Sequence, residues 1–167
     1  MFHTIADFEQ NWTHEMNGTQ KQMDLLTDAS LNQAIADDHR TLGRIAWHIV
    51  TTIPEMMRQC GLKLPEVDHE APVPTTAEAI RKAYAAVSKG LLHEIKTTWN
   101  DTTLQVEDDL YGQKWKRGVT LLILVKHEVH HRGQMTVLMR QAGLKVAGVY
   151  GPSKEEWSTM NMPAPEI

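Results

Sequence analysis

The chain has 167 residues, 41% of them hydrophobic and 23% charged, a length that supports one real core and a composition that excludes disordered and fibrous classes. Its net charge of -4 is spread among interspersed acids and bases, without the basic stripe that phosphate binding requires, so no nucleic acid partner is expected. Cys60 is the single cysteine, which excludes an intramolecular disulfide and a cysteine-rich zinc site and reads as a small buried hydrophobe near a helix end.

From Phe2 to Leu26 the side chains of Ile5, Phe8, Trp12, Met16, Met23 and Leu26 recur mostly at three- and four-residue steps, which predicts a first long helix. Leu42, Ile45, Ile49, Ile53 and Met56 set the stripe of a second, from about Thr41 to Gln59, with Gly61 as its stop. Pro54 is expected to kink it or split its last turn. Residues 61–75 carry Pro65, Pro72 and Pro74 and read as a surface connection. Thr75 with Glu78 fits a capping box for a third helix, whose stripe is Ile80, Tyr84, Val87, Leu91 and Ile95, interrupted by Gly90.

Between Asn100 and Gly118 the chain is polar, with a short hairpin expected from Thr102–Val106 and Leu110–Trp115. A fourth helix follows from about Val119 to Gln141, stopped by Gly143. The tail holds Gly148, Gly151, Pro152, Pro163 and Pro165, with room for one short helix around Ser153 to Trp157. The fold expected is all-α: a single domain over 1–167, a four-helix bundle with a short extra C-terminal helix or extended tail. The long link between the second and third helices frees the topology from simple up-down-up-down order. The longest apolar run, Val119 to Val125, is far below the ~20 residues of a membrane span. The N-terminus lacks a signal pattern, so no membrane association and a cytoplasmic location are expected.

Nine histidines stand out. At about 100° per residue, His127 and His131 lie about 40° apart on one helix face, in the sector of Leu124 and Leu138, which turns both imidazoles inward. His130 sits roughly 60° to one side. On the second helix His48 follows Ile45 by three residues and precedes Thr52 by four, along the buried stripe, and becomes the third ligand. Three buried imidazoles without an ion would leave polar nitrogens needing partners. Three protein ligands leave a coordination position for water or substrate, as in catalytic sites. Such a site suits zinc, nickel or iron. His3, His14, His39, His69 and His93 have no such arrangement and read as surface residues.

Residues 127–131 also satisfy the H-E-x-x-H pattern of zinc peptidases, with Glu128 as base. The extended form fails: Gly133 falls one position early and Val137 stands where the third ligand belongs.

The run HEVHHRGQ, His127 to Gln134, resembles the H-x-x-H-H-R-G-Q signature of the DinB/YfiT-like family of helical bundles, which is distinct from the DNA polymerase of that name. The resemblance extends to TLGRIAWHIV at 41–50 and RQAGLKVAGVYGPSKEEW at 140–157, and with the helix pattern covers nearly the whole chain. It implies a four-helix bundle, often dimeric, holding a divalent metal on one histidine of the second helix and two of the fourth: here His48, His127 and His131. His130 corresponds to the histidine usually outside the ligand set, and Arg132, Gly133 and Gln134 complete the signature.

The resemblance leaves the substrate open, since the family includes thiol-dependent transferases, hydrolase-like proteins and members without assigned activity. The leading expectation is a metal-dependent enzyme in which the ion lowers the pKa of a bound water toward ~7 or activates a low-molecular-weight thiol. Glu128, near the rim of the site, and Gln134, about 20° from His127, are the candidates for base or supporting roles. The alternative is a non-catalytic, metal-stabilised, dimeric ligand-binding module. A homodimer is also read from five tryptophans and nine methionines, more apolar bulk than one bundle interior needs.

Overall fold

The computed structural model describes residues 1–68 and 70–166. His69, expected at the surface, lies outside the described residues. Four long helices carry the fold: α1 Ile5–Asp24, α2 Leu42–Arg58, α3 Ala77–Thr98 and α4 Arg117–Gln141. None is long and apolar enough to cross a membrane among the described residues.

Each of the first three helices begins where a threonine hydroxyl can accept from a free backbone N–H of the first turn. Thr4 accepts from Asp7, Thr41 from Arg44 and Thr76 from Ala79. The expected capping box of Thr75 and Glu78 is therefore corrected by one residue: Thr76 is the cap. The first turn is also held from elsewhere, by Asp28, whose carboxylate accepts from the Ala77 N–H at 2.7 Å. Pro54 lies inside α2 and does not split it. The expected stops at Gly61 and Gly143 both have positive φ, +81° and +76°, which a side chain would strain.

α1 packs against α3 and α4, and α2 packs against the same two, so α1 and α2 sit on one diagonal of the bundle. The connection between α1 and α2 crosses that diagonal through a 3-10 turn, Asp28–Asn32, capped by Thr27. Phe8, Trp12, Leu42, Ile49, Ile53, Ile80, Tyr84, Leu91 and Ile95 fill the interior at 0–1% exposure. Trp12 keeps its polar atom paired in that interior by donating Nε1–H to the Ser88 carbonyl at 3.0 Å.

The hairpin between α3 and α4 exists, but both strands are shifted from the expected positions, and Leu110, expected to open the second, ends the first. β1 is Glu107–Leu110 and β2 is Gln113–Lys116, joined by Tyr111 and Gly112, both at positive φ as the two-residue turn demands. Thr102–Val106 is lost to β structure because Asn100 caps a 3-10 turn over Asp101–Gln105. Lys116 gives α4 no side-chain cap, and the hairpin anchors the helix start instead. There the Arg117 guanidinium grips Asp108 at 2.7 and 3.1 Å and lies over the Trp99 ring.

After α4 the tail runs back along α1. Gln22 donates to the Ala147 carbonyl and accepts from its N–H, and Val149 lies so close to Gly18 that a Cβ there would come within 2.7 Å. The short helix expected at Ser153–Trp157 appears instead as a 3-10 turn over Trp157–Met160. The reason is Glu156, whose carboxylate accepts from the N–H groups of Gly148 and Ser153 and holds the chain before Trp157 in turns.

Candidate metal centre

α2 and α4 are neighbours, and the faces they turn to each other carry the predicted histidines. His48 stands at the half-buried edge of the stripe made by Ile45, Ile49 and Ile53. His127 is half-buried and His131 buried, in line with buried Leu124 and Leu138. The Nε2 atom of His127 lies 3.1 Å from Nε2 of His48 and 3.1 Å from Nε2 of His131. The three ligand atoms all lie within 4.8 Å of one another.

The opposite edges of two rings are tied back. His131 donates Nδ1–H to Gln134 Oε1 at 2.7 Å, which leaves its Nε2 as a bare lone pair facing the cluster. Gln134 in turn donates to Nε2 of the exposed His130 at 3.2 Å, so His130 stands outside the cluster and braces it. On α2 the Thr52 hydroxyl sits 3.5 Å from His48 Nδ1 while donating to the His48 carbonyl at 2.8 Å.

Burial chiefly, and then the positive charge of neighbouring histidines and Arg40, lowers His48 and His127 from 6.5 to about 4. Burial lowers His131 as well, against the opposing hydrogen bond to Gln134. All three are therefore neutral near pH 7, the form that binds metals. A single proton on His127 Nε2 can point at one neighbour, not at both. At least one Nε2 lone pair then lacks a donor, and a cation at the point of convergence satisfies all three. With metal–nitrogen bonds of about 2.0–2.1 Å, tetrahedral zinc ligands stand about 3.3 Å apart, close to the separations found here. The residues present fit a divalent ion.

Glu128 does not join this cluster. It is 1% exposed, accepts from Thr19 Oγ1 at 2.8 Å and from Tyr84 OH at 2.7 Å, and belongs to the interior between α1, α3 and α4. Its expected place near the rim is corrected accordingly, and the H-E-x-x-H reading loses its base. Burial pushes its carboxyl above the usual range, and Oε2 has no hydrogen-bond partner among the described residues.

Beside it, Arg132 shows why an arginine follows His131: at 3% exposure it donates to the Glu15 carboxylate at 2.7 Å, the Glu15 carbonyl, Thr19 and Tyr150 OH. This ties α4, α1 and the tail together one residue beyond a ligand. His3, His14, His39 and His93 are exposed, as expected, but His39 lies in the wall of a cleft beside the cluster.

That cleft, about 510 Å³, opens next to His131 and Gln134 and is closed on its inner side by Ile45 and Leu138. Arg40 stands at its edge and was not legible as a site residue, because the segment before α2 has no periodicity. Arg44 offered a signal: it precedes His48 by one helical turn on the same face of α2.

The sequence model of the DinB family matches residues 1–166. A Bacillus subtilis (strain 168) protein described as uncharacterized, YrdA, is 44% identical over 167 residues, the full length of both chains. A crystal structure of a DinB-like protein from Bacillus cereus is 48% identical, with a TM-score of 0.86 over 90% of this chain and 100% of that one. A DinB-like crystal structure from Bacillus subtilis, 18% identical, shares the fold at a TM-score of 0.67 over 87% of this chain and 99% of that one.

Proposed function

The chain belongs to the DinB family, and on that premise we propose that it is a metal-dependent enzyme of the thiol-transfer or hydrolytic type, with its ion on His48, His127 and His131. The observation that carries the reading is the convergence of three neutral Nε2 atoms on one point. Zinc, nickel and iron all suit an imidazole set. When bound, such an ion supplies Lewis acidity to a water or a low-molecular-weight thiol arriving at the open coordination position.

The chain's own part is positioning. Gln134 holds His131 in the tautomer that presents Nε2, and Ile45 and Leu138 keep water off the inner wall of the cleft. His127, neutral at working pH, has one ring lone pair to give, and its Nε2 stands 3.1 Å from each of the other two. A homodimer and a cytoplasmic location belong to the same proposal, the first on the family's habit of pairing.

Metal analysis of the purified protein, followed by a screen of thiols against electrophiles and of hydrolysable esters and amides, tests the reading. Stoichiometric metal with metal-dependent turnover is the expected result. Stoichiometric metal without turnover across the panel would favour a metal-stabilised binding module instead. Sedimentation at micromolar concentration tests the dimer.

A further inference from the structure

The cleft beside the three histidines has an apolar body and one charged edge. Ile45 and Leu138 form its buried wall, and Ile35 and Val137, exposed by 61% and 50%, form lips contributed by the segment before α2 and by α4. Two exposed aliphatic side chains on the rim of one cleft lose contact with water when a hydrocarbon group lies between them, which favours such a ligand.

The polar edge is Asp38, His39 and Arg40. Asp38 is engaged, since its carboxylate accepts from His39 Nδ1 at 2.6 Å. Arg40 enters no side-chain hydrogen bond or ion pair among the described residues, and it lines the same cleft as His131. Arg44, one turn before His48, adds a second positive charge on the same side, and the start of α2 contributes partial charge of the same sign.

We propose that this cleft binds a small apolar carboxylate, with the carboxylate on the Arg40 guanidinium and the hydrocarbon between Ile35, Val137, Ile45 and Leu138. The geometry favours a monoanion. One planar guanidinium matches one carboxylate through two parallel N–H donors, whereas a phosphate dianion needs more donors and would meet the Asp38 carboxylate at the same edge. The ligand's body then lies across His131 and Gln134, so the inference deepens the proposed function by assigning its substrate class, and rests on that reading for the role of the ion.

Titration calorimetry with hexanoate, using hexanamide as its uncharged counterpart, tests the assignment on the zinc-loaded protein and again on the metal-free protein. Hexanoate should bind both forms, at least about tenfold more tightly than hexanamide, and Arg40→Gln should weaken hexanoate about tenfold while leaving hexanamide and zinc content unchanged. Val137→Asp, which sets a negative charge on the lip, should weaken hexanoate independently. Equal affinity for acid and amide, no binding of hexanoate, or an Arg40→Gln protein that binds hexanoate like the parent would overturn the proposal. Hexanoate binding that survives Arg40→Gln but vanishes with the zinc would assign the carboxylate to the ion and also overturn it. Absence of zinc binding with Arg40-dependent hexanoate binding intact would reject the metal reading alone.

Discussion

Gln134 Oε1 lies 2.7 Å from Nδ1 of His131, one helical turn away, and this bond decides which ring nitrogen of His131 faces His127. Replacing Gln134 by Leu removes the acceptor and frees the ring to flip or change tautomer. Metal affinity should fall roughly 10- to 100-fold, the usual effect of losing such a partner, with the helical content unchanged. Glutamate at the same position keeps an acceptor and should retain most of the affinity. Competition with a chromophoric chelator measures both, and an unchanged affinity in Gln134→Leu would remove the orienting role.

His48→Ala, His127→Ala and His131→Ala should each lose tight metal binding, because each deletes one of three converging nitrogens. His130→Ala should keep most of it: His130 is exposed and meets the cluster through Gln134 and an edge-on contact with the His131 ring, not through a converging nitrogen. Metal content per protomer after gel filtration discriminates the four variants. A series in which His130 alone abolished metal content would reverse the ligand assignment.

Chelation should leave most of the far-UV helical signal in place, since Phe8, Trp12, Ile53, Ile80 and Leu91 form a core that does not involve the histidines. Added metal should raise the melting temperature as its concentration passes the dissociation constant. The metal-free protein should also be acid-sensitive in a defined window. His48 and His127 sit at about 4 in the fold against 6.5 when solvated, so the unfolded chain takes up protons first as the pH falls. Stability is thus fully present above about 6.5 and is lost on the way down to about 4. The urea midpoint of the chelated protein should decline through that range, and a double His48→Gln, His127→Gln variant should flatten its upper half. A midpoint that rises on acidification would contradict the assignment.

Arg132→Ala should be among the most damaging single changes outside the cluster. The side chains of Arg132 and Glu15 are 4% and 5% exposed, so truncating the arginine strands a buried carboxylate beside Tyr150 and costs about 3–5 kcal/mol. Urea denaturation reads the loss directly. Replacing both partners by apolar residues of similar volume should recover part of it, because the stranded charge is then gone.

The helices were legible because Ile45, Ile49 and Ile53 on α2, and Leu124, His131 and Leu138 on α4, repeat at helical spacing and do face inward. The histidine cluster was legible for the same reason: spacing within each helix fixes a face, and only one pairing of faces brings His48 to His127. Glu128 was not. Its angular position is plain from the sequence, but its partners Thr19 and Tyr84 stand 109 and 44 residues away, and only packing reveals that this side of α4 is interior. Thr75 and Thr76 are adjacent and chemically identical, so geometry alone chooses the cap. Arg40 was missed because nothing local in the stretch before α2 says that it folds back over α4.

The tail segment anchored by Tyr150 and Arg140 is also a mechanical connection. Tyr150 grips Arg132, and Glu155 grips Arg140, both on the helix that carries His127 and His131. A pull on the tail is therefore delivered as load to α4, at points one and nine residues beyond His131, and to α1 through Glu15 and Gln22. α2, which carries His48, receives none of it directly. Tension on the tail would act to slide one ligand-bearing helix past the other, shearing His127 and His131 away from His48. The handle for that motion lies along α1, on the flank of α4 opposite to α2.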